Sequence, residues 1–183
     1  MNHKAHISVL VGVVVLVLCL SGLTLAEGIT EAYIYQQGDS NNAEITQEGP
    51  NNRAYQSQVG NSNDAYIYQA GQSNEAHAEI LGNHNWTLQT QVGDENTLSM
   101  KIEGNNNLCT QSQFGSENLA HALVTGSRNV ITQTQAGDGH NSQVTITGNG
   151  NIVTHIQMGR GTKFEIAHDH INKAVITAFQ VGF

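Results

Sequence analysis

The sequence predicts an all-β protein: a β-solenoid with two strands per coil, a 22-residue repeat, about seven coils and cross-β, amyloid-like stacking. Two regularities support this prediction. Glycine recurs every eleven residues through twelve successive units, and glutamine stands two residues before the glycine in every second unit. A fixed period of this kind is the signature of a repeat architecture. The glycines are Gly38, Gly49, Gly60, Gly71, Gly82, Gly93, Gly104, Gly115, Gly126, Gly137, Gly148 and Gly159.

Each glycine opens a short connector. Asparagine follows the glycine at a distance of three residues, and only His140 and Thr162 interrupt this column. Glycine and asparagine both tolerate a positive φ angle, so the Gly-x-x-Asn connector is predicted to be a tight turn. The asparagines are Asn41, Asn52, Asn63, Asn74, Asn85, Asn96, Asn107, Asn118, Asn129 and Asn151.

The seven residues between an asparagine and the next glycine alternate in character. Before Gly104, the apolar residues Leu98, Met100 and Ile102 take every second position, and polar residues take the others. Alternation with a period of two predicts a strand with one buried face. The predicted inward columns are Ala43, Ala65, Thr87, Cys109, Ile131, Val153 and Ile176 in one strand of the coil, and Ala32, Ala54, Ala76, Leu98, Ala120, Ser142 and Phe164 in the other.

The glutamine column decides between an antiparallel meander and a solenoid. A meander gives no reason for a 22-residue alternation, whereas a 22-residue coil stacks each residue on its equivalent in the next coil. A buried amide without a partner costs about 1–3 kcal/mol, but stacked amides hydrogen-bond to the copies above and below. The predicted self-assembly ladder comprises Gln47, Gln69, Gln91, Gln113, Gln135, Gln157 and Gln180 with Asn52, Asn74, Asn96 and Asn118, and its turn residues are Gly49, Gly71, Gly93, Gly115, Gly137 and Gly159.

The N-terminal segment is predicted to be a secretory signal peptide, residues 1–26. Lys4 precedes an apolar run from Ile7 to Leu20, and Thr24-Leu25-Ala26 offers a cleavage site. The run is short for a membrane span, which needs about 20 residues. Residues 27–183 form the predicted repeat domain, with no membrane span after signal removal. Its last coil, about 160–183, is degenerate because His170 replaces a glycine and one extra residue intervenes.

Charge argues against nucleic acid and anionic membranes as partners. Without Lys4 the chain has six basic and fifteen acidic residues, a net charge of −9. The acidic excess is uneven, with −10 in residues 27–117 and +1 in residues 118–183. Two interpretations stay open: head-to-tail attraction between subunits, or solubility of the secreted monomer. Cys109, the one cysteine after the signal, is either a buried thiol or a link between subunits.

No arrangement of residues indicates catalysis or a cofactor. The glycines are never followed by the Gly-Lys-Ser pattern of a phosphate loop. His168-Asp169-His170 contains residue types that bind metal ions and could supply part of a metal site, but no further ligand lies at a suggestive spacing. We therefore expect a protein that is not an enzyme and that holds no cofactor or metal.

The repeat resembles the curlin repeat, the unit of the subunits of curli, which are functional amyloid fibres of bacterial biofilms. The resemblance rests on Gln69-x-Gly71-x-x-Asn74-x-Ala76 and Gln47-x-Gly49-x-x-Asn52-x-Ala54, which recur in register through nearly all of the chain after the signal. It implies export through an outer-membrane pore with periplasmic chaperones, and assembly with itself and other curlin subunits into a surface fibre that serves adhesion. The irregular, basic last coil is similar to the nucleating minor subunit, and the major subunit is the other option.

The predicted function is therefore structural: a self-assembling subunit of extracellular fibres in which an exposed terminal strand templates the next chain. On this basis replacing Gln47 or Gln157, near the two ends, should slow growth more than replacing Gln113. The alternative is a soluble, secreted solenoid that binds a surface such as ice, or a monomeric adhesin. Its evidence is a threonine-rich outward face that includes Thr110, Thr132 and Thr154.

Overall fold

The structure, a computed structural model, describes residues 14–19 and 30–183. These residues form fifteen β-strands, and none of them lies in a helix long and apolar enough to cross a membrane. The strands are β1 (Val14–Cys19), β2 (Glu31–Gln37), β3 (Asn42–Glu48), β4 (Arg53–Val59), β5 (Asp64–Ala70), β6 (Glu75–Leu81), β7 (Trp86–Val92), β8 (Thr97–Glu103), β9 (Leu108–Phe114), β10 (Leu119–Thr125), β11 (Val130–Asp138), β12 (Asn141–Asn149), β13 (Ile152–Arg160), β14 (Lys163–Asn172) and β15 (Val175–Val181).

The strands form two sheets, here called sheet A and sheet B. Sheet A has the order β1-β2-β4-β6-β8-β10-β12-β14, and sheet B has the order β15-β13-β11-β9-β7-β5-β3. From β2 onward, neighbours pair in parallel. Residue i lies opposite residue i+22, as Gln113 lies opposite Gln135, until the last coil, where the offset becomes 23, as between Ile152 and Val175. Each coil gives one strand to each sheet, so β2 and β3 form the first coil and β14 and β15 the seventh. The predicted two-strand solenoid of seven coils is confirmed.

The core is the narrow space between the two sheets. Every second residue of a strand points into it, and in β8 the side chains of Leu98, Met100 and Ile102 are at most 1% exposed. The predicted inward columns lie in this space and are buried throughout the first six coils. Phe164 and Ile176 of the seventh coil are only partly buried, because no further coil covers them.

The turns depend on glycine, as predicted. Each glycine from Gly38 to Gly159 in the eleven-residue column has a positive φ, and a Cβ at Gly104 would collide with the carbonyl oxygen of Gly126 in the next coil. The second left-handed residue lies two positions after the glycine, as at Ser62 and Glu95. The prediction that asparagine contributes a positive φ was wrong, because the asparagine three positions after the glycine is buried beside the turn instead.

The last coil accommodates its extra residue in a β-bulge. Ile146 of β12 lies opposite His168 of β14, but Gly148 lies opposite Ile171, so the offset changes from 22 to 23 residues. Asp169 and His170 together therefore lie opposite a single residue, and His170 takes a positive φ of 56°. A bulge of this kind disrupts pairing locally and bends the strand.

The ends of the solenoid differ in how their strand edges are paired. Strand β1 pairs with β2 in the antiparallel direction and lies inside the predicted signal, the rest of which is outside the described residues. In the described part of the chain, β3 pairs only with β5, β14 only with β12 and β15 only with β13. Within the described residues, these three strands therefore each have one edge without a partner strand, and such an edge invites pairing with another chain.

Candidate self-assembly interface

A continuous column of glutamine amides runs along sheet B through all seven coils. From Gln47 to Gln180, each Nε2 donates to the Oε1 of the glutamine in the next coil over 2.7–3.1 Å. The same Nε2 also donates across the core to a sheet A carbonyl, as Gln113 does to Thr97 over 3.0 Å. Each amide therefore joins one coil to the next and one sheet to the other.

The asparagines form two further ladders, one beside each turn of the coil. The backbone N–H and the Nδ2 of Asn74 donate to the Oδ1 of Asn52 over 3.0 and 3.2 Å, and the same Nδ2 donates to the carbonyl of Gly93 over 2.7 Å. The arrangement recurs at Asn96 and Asn118. The equivalent ladder at the other turn, which was not among the predicted ladder residues, is made by Asn41, Asn63, Asn85, Asn107, Asn129 and Asn151.

A second glutamine ladder, which was not among the predicted residues, lies inside sheet B. Gln89 donates to Gln111 over 3.0 Å and Gln111 donates to Gln133 over 2.8 Å, and all three side chains are buried. The 22-residue spacing that marked the first column also marks this one. It was overlooked because it runs for only three coils, between Ile67 on one side and His155 on the other.

His155 ends the shorter ladder in a buried polar cluster. Its Nδ1 lies 2.7 Å from the hydroxyl of Ser142, which accepts a hydrogen bond from Gln133 over 2.9 Å. Its ring stacks on Phe164 with 3.9 Å between centroids. Burial lowers the pKa of His155 to about 4, and its Nε2 has no hydrogen-bond partner among the described residues. The imidazole is therefore neutral at neutral pH.

The two ends of the long glutamine column are chemically complementary. At the first coil, no donor in the described part of the chain reaches the Oε1 of Gln47. At the seventh coil, Gln180 accepts from Gln157 and donates to the carbonyl of Lys163, so one Nε2 hydrogen remains. Gln157, predicted to lie near this end, is one coil before the last amide of the column, which is Gln180.

Neither asparagine ladder continues to the C-terminal end. In the next coil, the residue equivalent to Asn151 is Ala174. Its backbone N–H donates to the Oδ1 of Asn151, but it has no side-chain amide that could continue the ladder. The ladder that ends at Asn118 is followed by His140 and then by Thr162. The hydroxyl of Thr162 lies 2.7 Å from the imidazole Nδ1 of His140. Among these ladders only the long glutamine column presents an amide at both ends of the rod.

The threonine columns are present on the outer surface of sheet B. Thr110, Thr132, Thr154 and Thr177 lie opposite one another in successive coils. The hydroxyl of Thr110 donates to that of Thr132 over 3.3 Å. The column does not extend to the first coils, where Leu88 takes the equivalent place.

The remaining candidate groups are scattered. Asp169 and His170 are within 2.9 Å of each other but largely exposed, and the residues that the structure describes contain no group of three or more potential ligands that could hold a metal ion. Cys109 is fully buried, and burial raises the pKa of its thiol. This location fits the buried-thiol interpretation rather than a link between subunits.

Comparison with known proteins identifies one segment of the chain. Residues 31–58 match the family model described as the curlin associated repeat, a stretch that covers β2, β3 and most of β4. No curated protein and no solved structure matches the chain.

Proposed function

The chain resembles the curlin family, as the match of residues 31–58 shows, and on this premise we propose that it is a structural, self-assembling subunit of an extracellular amyloid fibre. It has no catalytic role in this proposal. The fibre grows when the first coil of one subunit stacks on the seventh coil of another, so that the solenoid continues from chain to chain.

The observation that carries the proposal is the polarity of the long glutamine column. One end offers the Oε1 of Gln47 as an acceptor, and the other offers a hydrogen on the Nε2 of Gln180. Stacking the two ends at the spacing of adjacent coils joins them with the same hydrogen bond that links Gln113 to Gln135 inside the rod, over 2.8 Å. Each added subunit presents the same donor again, which is the requirement for templated growth.

The backbone supports the same direction of growth. In sheet B, β15 and β3 each have one edge without a partner strand among the described residues. These edges face opposite ends of the rod, so that β15 of one subunit can pair in parallel with β3 of the next. In sheet A the corresponding pair is β14 with β2, whose edge is covered by β1. Cleavage of the predicted signal after Ala26 would remove β1, and this step would make the second half of the joint available.

Charge supports head-to-tail stacking as a secondary attraction. Residues 27–117 have a net charge of −10 and residues 118–183 a net charge of +1. The basic groups Arg160 and Lys163 are exposed in or beside the last coil, and Glu31 is exposed in the first. Attraction between exposed charges falls off within about 8–10 Å at physiological salt. High salt should therefore slow the first encounter of the ends without loosening the finished joint.

Partners and location are proposed from the resemblance. Curlin subunits assemble into extracellular surface fibres, so we place the mature chain in such a fibre, with other curlin subunits as its neighbours and a secretion pore and chaperones on its route. The fibre would serve surface adhesion in a biofilm matrix. The nucleating role is the alternative to the main-subunit role, and the bulged last coil is the feature that favours it.

The rival function is binding of a surface such as ice by the stacked threonines of sheet B. The column of Thr110, Thr132, Thr154 and Thr177 is the observation in its favour. Surface binding accounts less well for the buried amide column with complementary ends, because a surface-binding monomer does not need unpaired amides at its ends.

A charge placed at the joint tests the proposal. Gln180→Glu removes the donor and brings a carboxylate toward the acceptor Gln47, so elongation from wild-type seeds should stop. The matched control is Gln143→Glu, the same change at an exposed outward position of β12. The control should elongate at the wild-type rate. Equal elongation by both variants would contradict growth through the glutamine column.

A further inference from the structure

The two outer faces of the solenoid differ sharply in charge. On sheet A, charged residues occur in five of the seven coils, and Lys101 lies 3.1 Å from Glu103 and 3.6 Å from Glu79. On sheet B, strands β7, β9 and β15 contain no charged residue, and those of β11 and β13 are Asp138 and Arg160 at the turn. Charges therefore occur along most of sheet A, where from β2 onward only β10 and β12 lack them, whereas the strands of the last five coils of sheet B carry charge only at the turn.

The same part of sheet B exposes apolar side chains. Of the eleven large hydrophobic side chains that are exposed in residues 30–183, eight lie on its strands, and Val175 and Phe179 are 72% and 60% exposed. They fall into columns that repeat from coil to coil, so the surface consists of apolar and threonine rows. The uncharged apolar columns, here called the smooth face, include Leu108, Ile152 and Val175 at one edge of the sheet and Val92, Phe114 and Met158 at the other.

The size of the smooth face falls below that of a stable pairwise interface. Five strands about 4.8 Å apart, each with seven residues at about 3.3 Å, cover about 550 Å². A standard stable interface buries about 800 Å² on each partner. Two single subunits therefore have too little contact area to pair firmly, but subunits stacked in register add this area once for every subunit along a fibre.

We infer that the smooth face is a lateral interface, on which a second rod built from copies of this chain packs with its own smooth face. The fibre then consists of paired rods whose sheet B surfaces form a dry contact, with the charged sheet A surfaces facing water. Rows of identical side chains in adjacent sheets interdigitate in steric zippers of this kind. The inference rests on the proposed stacking, because only stacked subunits supply enough area.

A second copy fits this face better than other occupants. Because the face has no charge in its last five coils, two copies meet without burying an unpaired charge, which would be costly. The three acidic residues on the outward face of β3 and β5, Glu44, Glu48 and Asp64, lie at one end of each subunit. They therefore interrupt the contact once per subunit and limit which registers of the two rods are compatible.

A lysine on either face distinguishes the inference from its alternatives. Thr134 on sheet B and Thr145 on sheet A take the same outward position in successive strands, and both are half-buried. Fibres grown from the secreted, processed chain should show the mass per length of two rods by scanning transmission electron microscopy. Thr134→Lys should halve that value, and Thr145→Lys should leave it unchanged. Wild-type fibres with the mass of one rod, or no effect of Thr134→Lys, would overturn the inference.

A cross-linking measurement serves if either lysine variant fails to assemble. Ser112 on sheet B and Ser99 on sheet A are half-buried outward residues of the same coil, so each is changed to cysteine with Cys109→Ala as background. Equivalent residues of neighbouring subunits in one rod are seven coils, or about 34 Å, apart. A bifunctional maleimide shorter than that spacing reports only lateral contact. It should link subunits through Ser112→Cys and not through Ser99→Cys, and the reverse result would refute lateral pairing by sheet B.

The two proposals fail in different ways. If single rods form with a cross-β signature, stacking stands and the lateral interface is wrong. If no fibres form and the monomer binds ice crystals or another surface through sheet B, the proposed function is wrong and the threonine columns serve the rival role.

Discussion

Removing an amide from the middle of the glutamine column should have a different effect from removing one at its end. Gln113→Ala deletes a fully buried side chain that accepts from Gln91 over 3.1 Å and donates to Gln135 and to the carbonyl of Thr97. Three polar groups of the protein lose a partner. At about 1–3 kcal/mol for each unsatisfied buried group, the free energy of unfolding of the monomer should fall by at least about 3 kcal/mol.

Gln180→Ala should leave the monomer nearly as stable as wild type. Its amide is half-buried and bonds to Gln157 and the carbonyl of Lys163, and water can replace both interactions. The expected loss is about 0.5–1.5 kcal/mol. In the fibre, however, the variant leaves Gln47 of the next subunit buried and unpaired at the joint. A cost of about 1–3 kcal/mol there corresponds to about a 5- to 150-fold rise in the monomer concentration that remains at equilibrium.

Two measurements separate the effects. Urea unfolding gives the stability of the monomer, and sedimentation of fibres at equilibrium gives the residual folded monomer. Gln113→Ala should change the first quantity and not the second, while Gln180→Ala should change the second and hardly the first. If both variants shift both quantities equally, the column does not act as the joint between subunits.

Three further outcomes follow from the geometry. Gly104→Ala should unfold the coil that contains it because a Cβ there meets the carbonyl of Gly126, while Gly139→Ala, with no atom within 4 Å of its Cβ, should lower the melting temperature only slightly. Burial lowers the pKa of His155 to about 4 from an ordinary value near 6.5, so the unfolded chain binds the extra proton first and stability should fall as pH drops from about 6.5 to 4. His155→Gln should abolish that part of the dependence in urea titrations at several pH values, and an unchanged profile would assign it to another group. Cys109 should react with a thiol reagent only after unfolding, so rapid modification of the native protein would contradict its burial.

The fold was predictable because two periods in the sequence have separate physical causes. The eleven-residue period reflects the positive φ and close backbone approach at residues such as Gly71, which no side chain tolerates. The 22-residue period of Gln69 and its equivalents reflects hydrogen bonding between coils, which only a stacked structure satisfies. With the eleven-residue period alone, an antiparallel meander would have remained an alternative to the solenoid.

Other features depend on contacts that a sequence pattern does not display. The ladder prediction included the asparagines of one turn only, although Asn63 and its equivalents at the other turn donate three hydrogen bonds to neighbouring coils. The cluster of Ser142, His155 and Phe164 joins three strands at two different columns, so no single spacing marks it. Pairing of β1 with β2 is antiparallel and lies outside the repeat, where periodicity predicts nothing.

Cryo-electron microscopy of fibres grown from the chain without its predicted signal peptide would show how the subunits stack. End-to-end stacking requires strands perpendicular to the fibre axis at a spacing of about 4.8 Å, seven layers per subunit, and an axial repeat of about 34 Å. In the density, Gln180 of one subunit should lie against Gln47 of the next at the spacing of adjacent coils. A fibre whose subunits meet through another surface, or a protein that stays monomeric at all concentrations, would contradict it.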